Sequence, residues 1–320
     1  FQCEYKGEVK EGFMSKIKVC HIVNSLGIGG VVKFELELSN RLNPQLFAVH
    51  IISLSTDVTL TKQFESKNFV KIFLCQYDFS EKFTLLELYK HAFYDNYTRT
   101  RATALATLIQ EISPDIIHAH VLPRELTLIK ILSKKNNCKI LYTDHLVRIN
   151  NKMGLHNKVL IALAYNMLYK KVNTVSVSNA VHNLNKKFFV YDHSRINIII
   201  ENGISIPIVE KVDHKNYKIQ AIFVSRISNV KGHSDLINAW AQLPNRENLI
   251  LQIIGPDEMN GRIHELASNL IKDGTVQFLG PSHNVSDFLR AADFAIFPSH
   301  REGLPLALLE KMAYSLPVIA

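Results

Sequence analysis

Short, β-branched apolar runs alternate with segments of helical period along almost the whole sequence. Such alternation builds parallel sheets with helices on their faces, because each parallel strand needs a crossover before the next. The first repeat is the clearest: Ile17–Val23 reads as a strand, Asn24–Gly30 as a Gly-rich turn and Val31–Leu42 as a helix. Further strands are predicted at Ala48–Leu54, Val70–Leu74, Ile116–Ala119, Lys139–Thr143, Thr174–Val177 and Ile196–Ile200. Helices are predicted near Thr98–Ile112, Arg124–Ser133, Asn157–Tyr169 and Val181–Phe188. A polar, charged stretch holding Pro207, Ile204–Lys218, reads as a linker. A second series follows: strand Gln220–Ser225, helix His233–Leu243, strand Leu249–Ile254, helix Arg262–Ile271, strand Val276–Leu279, helix Val285–Ala291, strand Phe294–Phe297 and helix Pro305–Tyr314. Pro317–Ala320 opens another strand, so the second domain is expected to be incomplete in this chain. The expected division is a flexible extension at 1–13, one Rossmann-like domain at 14–203, the linker at 204–218 and a second Rossmann-like domain at 219–320.

Length and composition agree with two α/β domains: 320 residues exceed one typical domain, and 47% hydrophobic content supports a core in each. Four scattered cysteines, Cys3, Cys20, Cys75 and Cys138, form no CxxC pair and read as reduced structural thiols. The longest apolar run, Val159–Tyr165, is far shorter than the ~20 residues of a membrane span. Phe1–Phe13 is mixed polar and charged, unlike a signal peptide. A cytoplasmic protein is expected. Lys and Arg exceed Asp and Glu by 37 − 29 = 8. That charge suits phosphorylated substrates or an anionic membrane face. Nucleic acid is not expected, since no zinc-finger, RRM or helix-turn-helix signature accompanies it.

The chemistry concentrates near the C-terminus, where Pro298–Glu310 follows a strand and opens a helix. Pro305 suits a first helical turn, and the backbone N–H groups there can bind an anion with help from the helix dipole. Glu302 falls in the loop and Glu310 about two turns into the helix, so the two carboxylates could serve the hydroxyls of a sugar and of a ribose. A loop acid and a solvated helix acid are the plainer alternative. In the first half, His118 and His120 lie two apart on one strand and share a face, a conceivable metal pair with no third ligand at a recognisable spacing. His145 ends another strand. No Asp-x-Asp occurs, which removes the usual carboxylate pair for a metal-bound diphosphate.

Glu302 and Glu310 with seven residues between them, followed by Met312, Ala313 and Leu316–Ala320, resemble the E-x7-E region of family 4 glycosyltransferases of GT-B fold. In order along the chain, Ser25–Gly30, Pro114–His120, Ser176–Ser178, Glu201–Ile204, Val224–Ile227 with Lys231-Gly232, Gly255, Phe278–Gly280 and Ala291–Asp293 also resemble that family. Ser225 and Ser315 depart from it, standing where the family usually has Gly. The resemblance implies two Rossmann-like domains facing across a cleft, the second truncated here. It implies that Arg226 and Lys231 clamp the donor diphosphate, Glu310 the ribose, and Glu302 with the backbone of Gly303, Leu304 and Pro305 the sugar and phosphate. Gly29 and Gly30 would let the first loop approach the transferring centre, with His120 beside the reacting sugar.

The implied activity is retaining transfer from a nucleotide-diphosphate sugar, with UDP-sugar favoured as substrate, and with no cofactor or metal. Two fixed cations and a helix N-terminus can stabilise the leaving diphosphate without one. A saccharide or lipid-linked saccharide acceptor is expected, as in bacterial cell-surface polysaccharide or glycolipid synthesis. The basic, apolar-striped segment Arg148–Lys171 reads either as a helix lying on an anionic membrane, at its inner face, or as one packed on the sheet. A nucleotide-sugar epimerase, a phosphorylase, or a non-catalytic nucleotide-binding fragment would share the fold.

Overall fold

The computed structural model describes residues 15–27, 29–55, 70–74, 96–121, 137–145, 172–188, 195–208, 218–282 and 284–320. The helices expected near Arg124–Ser133 and Asn157–Tyr169, and the basic segment Arg148–Lys171, lie outside these residues.

The described elements begin with strand β1 (Ile17–Val23), helix α1 (Gly30–Arg41), β2 (Phe47–Ser53), β3 (Val70–Leu74) and α2 (Asn96–Ile112). They continue with β4 (Ile116–His120), β5 (Lys139–Asp144), β6 (Asn173–Ser176), α3 (Asn179–Phe188) and β7 (Asn197–Ile199). These seven strands form one sheet in the order β3-β2-β1-β4-β5-β6-β7, and β1 pairs in parallel with both β2 and β4. The buried run of β1, Val19–Val23, is what a strand covered on both faces requires.

The second sheet is built from β8 (Ile219–Val224), β9 (Leu249–Ile254), β10 (Val276–Gly280), β11 (Phe294–Ile296) and β12 (Val318–Ile319), in the order β10-β9-β8-β11-β12. Its described pairs are parallel. Helices α4 (His233–Ala241), α5 (Arg262–Leu266), α6 (Ser268–Lys272), α7 (Val285–Ala291) and α8 (Leu306–Ala313) connect them. Alternate residues of β8 feed opposite faces. Ala221 and Phe223 join Trp240, Leu251, Ile253, Ile263 and Leu270 in one core. Ile222 joins Ile254, Leu289, Ala295, Tyr314 and Leu316 in the other.

Both strand orders reverse once, between β1 and β4 in the first sheet and between β8 and β11 in the second. In doubly wound sheets the crevice outside the carboxyl ends at such a reversal is where ligands bind. In the second sheet, those ends lead into Ser225–Lys231 and into Phe297–Pro305.

Two local expectations are corrected. The single helix expected at Arg262–Ile271 is two, because Ala267 turns to ψ 4° between them, although its N–H still reaches the Ile263 carbonyl. Pro305 is not within the first helical turn. It caps α8 in extended conformation, and its carbonyl receives Leu308 N–H at 3.1 Å. Glu310 is then the fifth residue of α8, roughly one turn in rather than two.

The chain divides into two compact units, Phe1–Gly27 with Leu38–Leu141, and Ile28–Glu37 with Tyr142–Ala320. The first two thirds of α1, Gly30–Glu37, thus belong with the second.

Candidate functional site

In the second unit, β8 delivers Arg226 just beyond its carboxyl end, and the short 3-10 turn Asn229–Lys231 follows. Gly232 ends that turn at φ 72°, and a Cβ there would sit 2.0 Å from the Pro298 carbonyl oxygen. Only glycine lets the Lys231 turn lie against the loop leaving β11. His300 N–H donates to the Val230 carbonyl at 2.9 Å and ties the same two segments. Lys231 and Glu302 are thereby brought together, Nζ to Oε1 at 2.5 Å, with about a fifth of each side chain exposed.

The other carboxylate is matched too. Lys33, from α1, places Nζ 2.8 Å from Glu310 Oε1. Arg226 Nη1 lies 2.5 Å from Glu258 Oε1 in a half-exposed pair. Lys33 and Glu258 were not expected from the sequence, and no spacing signals them: Lys33 lies 277 residues from its partner.

The loop carrying Glu302 is strapped from β6, β7 and β5. Ser178 Oγ donates to the Gly303 carbonyl at 3.0 Å while accepting Val181 N–H at the start of α3. Asn202 Nδ2 donates to the Leu304 carbonyl at 2.7 Å. His145 contributes its backbone: a Cβ on Gly303 would meet the His145 carbonyl oxygen at 2.2 Å. Ser178 and Asn202 stand inside motifs visible in the sequence, but nothing in the sequence pairs them with Gly303 and Leu304. Gly29 and Gly30 meet no protein atom within 4 Å of a built Cβ, so protein crowding does not demand glycine at either position. Beneath the loop, Lys311 is buried at 1% exposure.

His120 belongs to the first unit. It lies at the end of β4, buried, with His118 on the same strand and His21 opposite His118 on β1. His21 is the third imidazole that sequence spacing could not find. The three rings lie together with centroids 4.1–5.8 Å apart, His21 and His120 stacked and His118 tilted against both. One nitrogen from each lies within 4.8 Å of the others. Nitrogens sharing one tetrahedral zinc at about 2.0–2.1 Å stand about 3.3 Å apart.

Among the described residues no helix is long and apolar enough to cross a membrane.

Comparison with known proteins agrees with the fold. Residues 18–179 fit the family described as glycosyl transferase 4-like, and residues 207–320 the one described as glycosyl transferases group 1. An uncharacterized glycosyltransferase, MJ1059 of Methanocaldococcus jannaschii, is 27% identical over 244 residues, 69% of this chain and 58% of its own length. The chain therefore spans under two thirds of that relative. The capsular polysaccharide biosynthesis glycosyltransferase CapH of Staphylococcus aureus is 24% identical over 315 residues, 95% of this chain and 81% of its own. Among solved structures, Anabaena HepE in complex with UDP and glucose superposes with TM-score 0.72 at 17% identity, covering 95% of this chain and 80% of HepE. With both halves matched in order and two Rossmann-like sheets formed, the chain belongs to the group 1, 4-like family of glycosyltransferases and has the GT-B fold.

Proposed function

We propose that the protein moves a sugar, with retention at the anomeric carbon and without a metal ion, from a nucleoside diphosphate sugar to a saccharide or lipid-linked saccharide hydroxyl. The observation that carries this reading is the convergence of Lys231–Glu302 and Lys33–Glu310 at the reversal point of the second sheet, where Arg226 also leaves the carboxyl end of β8. As the glycosidic bond breaks, charge grows on the diphosphate, and fixed cations at that place stabilise it without reorganisation. Each cation already has a carboxylate partner, so donor binding is an exchange. The Arg226–Glu258 pair, half exposed, is worth at most about 1 kcal/mol and yields readily to a doubly charged phosphate. A diphosphate taking Lys231 would leave Glu302 to accept hydrogen bonds from sugar hydroxyls, and Glu310 would do the same for the ribose. Gly29 and Gly30 are proposed to lie in the loop that admits the sugar.

UDP is the favoured nucleotide, supported by its presence in the HepE complex. Polysaccharide synthesis is supported by the likeness to CapH; glycolipid as the product, and the cytoplasmic face of the membrane as the place, are part of the same proposal. The test is melting of the chain alone and with UDP, GDP, ADP or NAD, followed by transfer assays with EDTA. A nucleotide at about 100 times its Kd should stabilise the fold by about 2.7 kcal/mol. Stabilisation by one diphosphate, lost in Arg226→Ala, and transfer that survives EDTA are expected. Transfer abolished by EDTA and restored by a divalent cation would refute the metal-free reading. A cooperatively folded chain indifferent to all four nucleotides would refute the donor site.

A further inference from the structure

Lys311 follows Glu310 directly, yet no motif gives it a role. Its side chain turns inward: it and Leu306 are the buried residues of α8. Nζ donates to the Ala307 carbonyl one turn back at 3.1 Å and stands 5.0 Å from the centre of the Phe297 ring. Phe297 opens the loop that carries Glu302. An ammonium has three donors. Among the described residues Lys311 uses one, on a neutral oxygen. The charged groups that act on it are Glu310, Lys231, Lys33 and Glu302, the four members of the two carboxylate–lysine pairs described above.

We propose that Lys311 is a buried cation of the donor cradle that takes up a proton together with a nucleoside diphosphate. The inference rests on the donor-site reading. In the free chain, burial pushes Lys311 down to about 8, with Glu310 and Glu302 raising it and Lys231 and Lys33 lowering it. Two of these charges oppose the other two, and burial is the largest of the effects. A bound diphosphate adds negative charge beside the cluster, and a nearby opposite charge favours the protonated form. The sign follows: the ligand prefers protonated Lys311, so affinity is full below about 8 and falls as pH rises through it.

The experiment is calorimetric titration with UDP from about pH 7 to about pH 9, in buffers of different ionisation heat. Affinity is expected to fall up to about tenfold per pH unit above the midpoint, with up to about one proton taken up per UDP. Lys311→Met should flatten both signals. Lys311→Arg, whose charge is permanent, should keep affinity at the alkaline end and show no uptake. It also serves if the Met variant does not fold. UDP binding that Arg226→Ala abolishes, but that shows no proton uptake in the wild type, or the same uptake in Lys311→Met, overturns the Lys311 inference alone. No UDP binding at any pH overturns the donor reading and this inference with it.

Discussion

Ser315 occupies left-handed backbone, φ 58°, just past the end of α8. The bonds around it form a Schellman closure: Leu316 N–H reaches the Lys311 carbonyl at 3.2 Å, and Ser315 N–H the Met312 carbonyl at 2.9 Å. A Cβ in that conformation costs about 1 kcal/mol or more. Ser315→Gly should therefore raise stability by about 1 kcal/mol in urea unfolding, without changing the denaturant slope. A destabilised variant would show that the serine makes a compensating contact. Lys311 carries a larger strain of another kind. Its folded pKa, about 8, lies below the ordinary 10.5, so the penalty is full below about pH 8 and fades as pH rises toward 10.5. At about 1.4 kcal/mol for each tenfold change in proton affinity, Lys311→Met should gain about 3 kcal/mol at neutral pH. The gain should shrink steadily in alkaline buffer, and a constant gain would mean that only packing had changed.

The elements show what a sequence reveals and what it withholds. Apolar runs and period-3.6 patterns located β1, β3, β9 and α7 to the residue, and most other described elements within a residue or two, since burial on both faces writes itself into apolar runs. The break at Ala267 was not legible, because an alanine between two helical turns carries no stop signal. Of the site, Glu302, Glu310, Arg226 and Lys231 were legible through ordered motifs, whereas Lys33, Ser178 and Asn202 act across 277, 125 and 102 residues. Those straps should matter more to catalysis than to folding. Ser178→Ala or Asn202→Ala removes one hydrogen bond, worth about 1 kcal/mol in stability. Yet each lets the Gly303–Leu304 backbone drift, and misplacement of about 1 Å can cost about 10²-fold in rate. Measured together, melting and transfer rates should separate. Equal losses in both would reduce the straps to ordinary scaffold.

At the scale of the whole molecule, one buried ring among the described residues makes a defined contribution to acid stability. His233, 1% exposed, begins α4 with its ring 4.5 Å from that of Phe223. Burial chiefly lowers its pKa from 6.5 to about 4; Lys231 adds to the lowering, while the Ser228 backbone and Asp257 oppose it. The folded chain thus resists a proton that the unfolded chain accepts. Stability is unaffected above about pH 6.5 and falls as pH drops toward 4, by about 3 kcal/mol from this residue. A His233→Leu variant should flatten that acid limb in denaturant titrations, and an unchanged slope would place the acid sensitivity elsewhere.

The Lys33–Glu310 pair also sets a clock on synthesis. A ribosome adding roughly 5–20 residues per second needs about 14–55 s to travel the 277 residues between them. During that interval Ile28–Glu37 has emerged while much of the unit it belongs to has not been made. The nascent chain can begin closing its first sheet, but it must hold the front of α1 without its partner. Completion of this pair is therefore a late event in the life of each molecule, and a chain that ends before Glu310 lacks half of it.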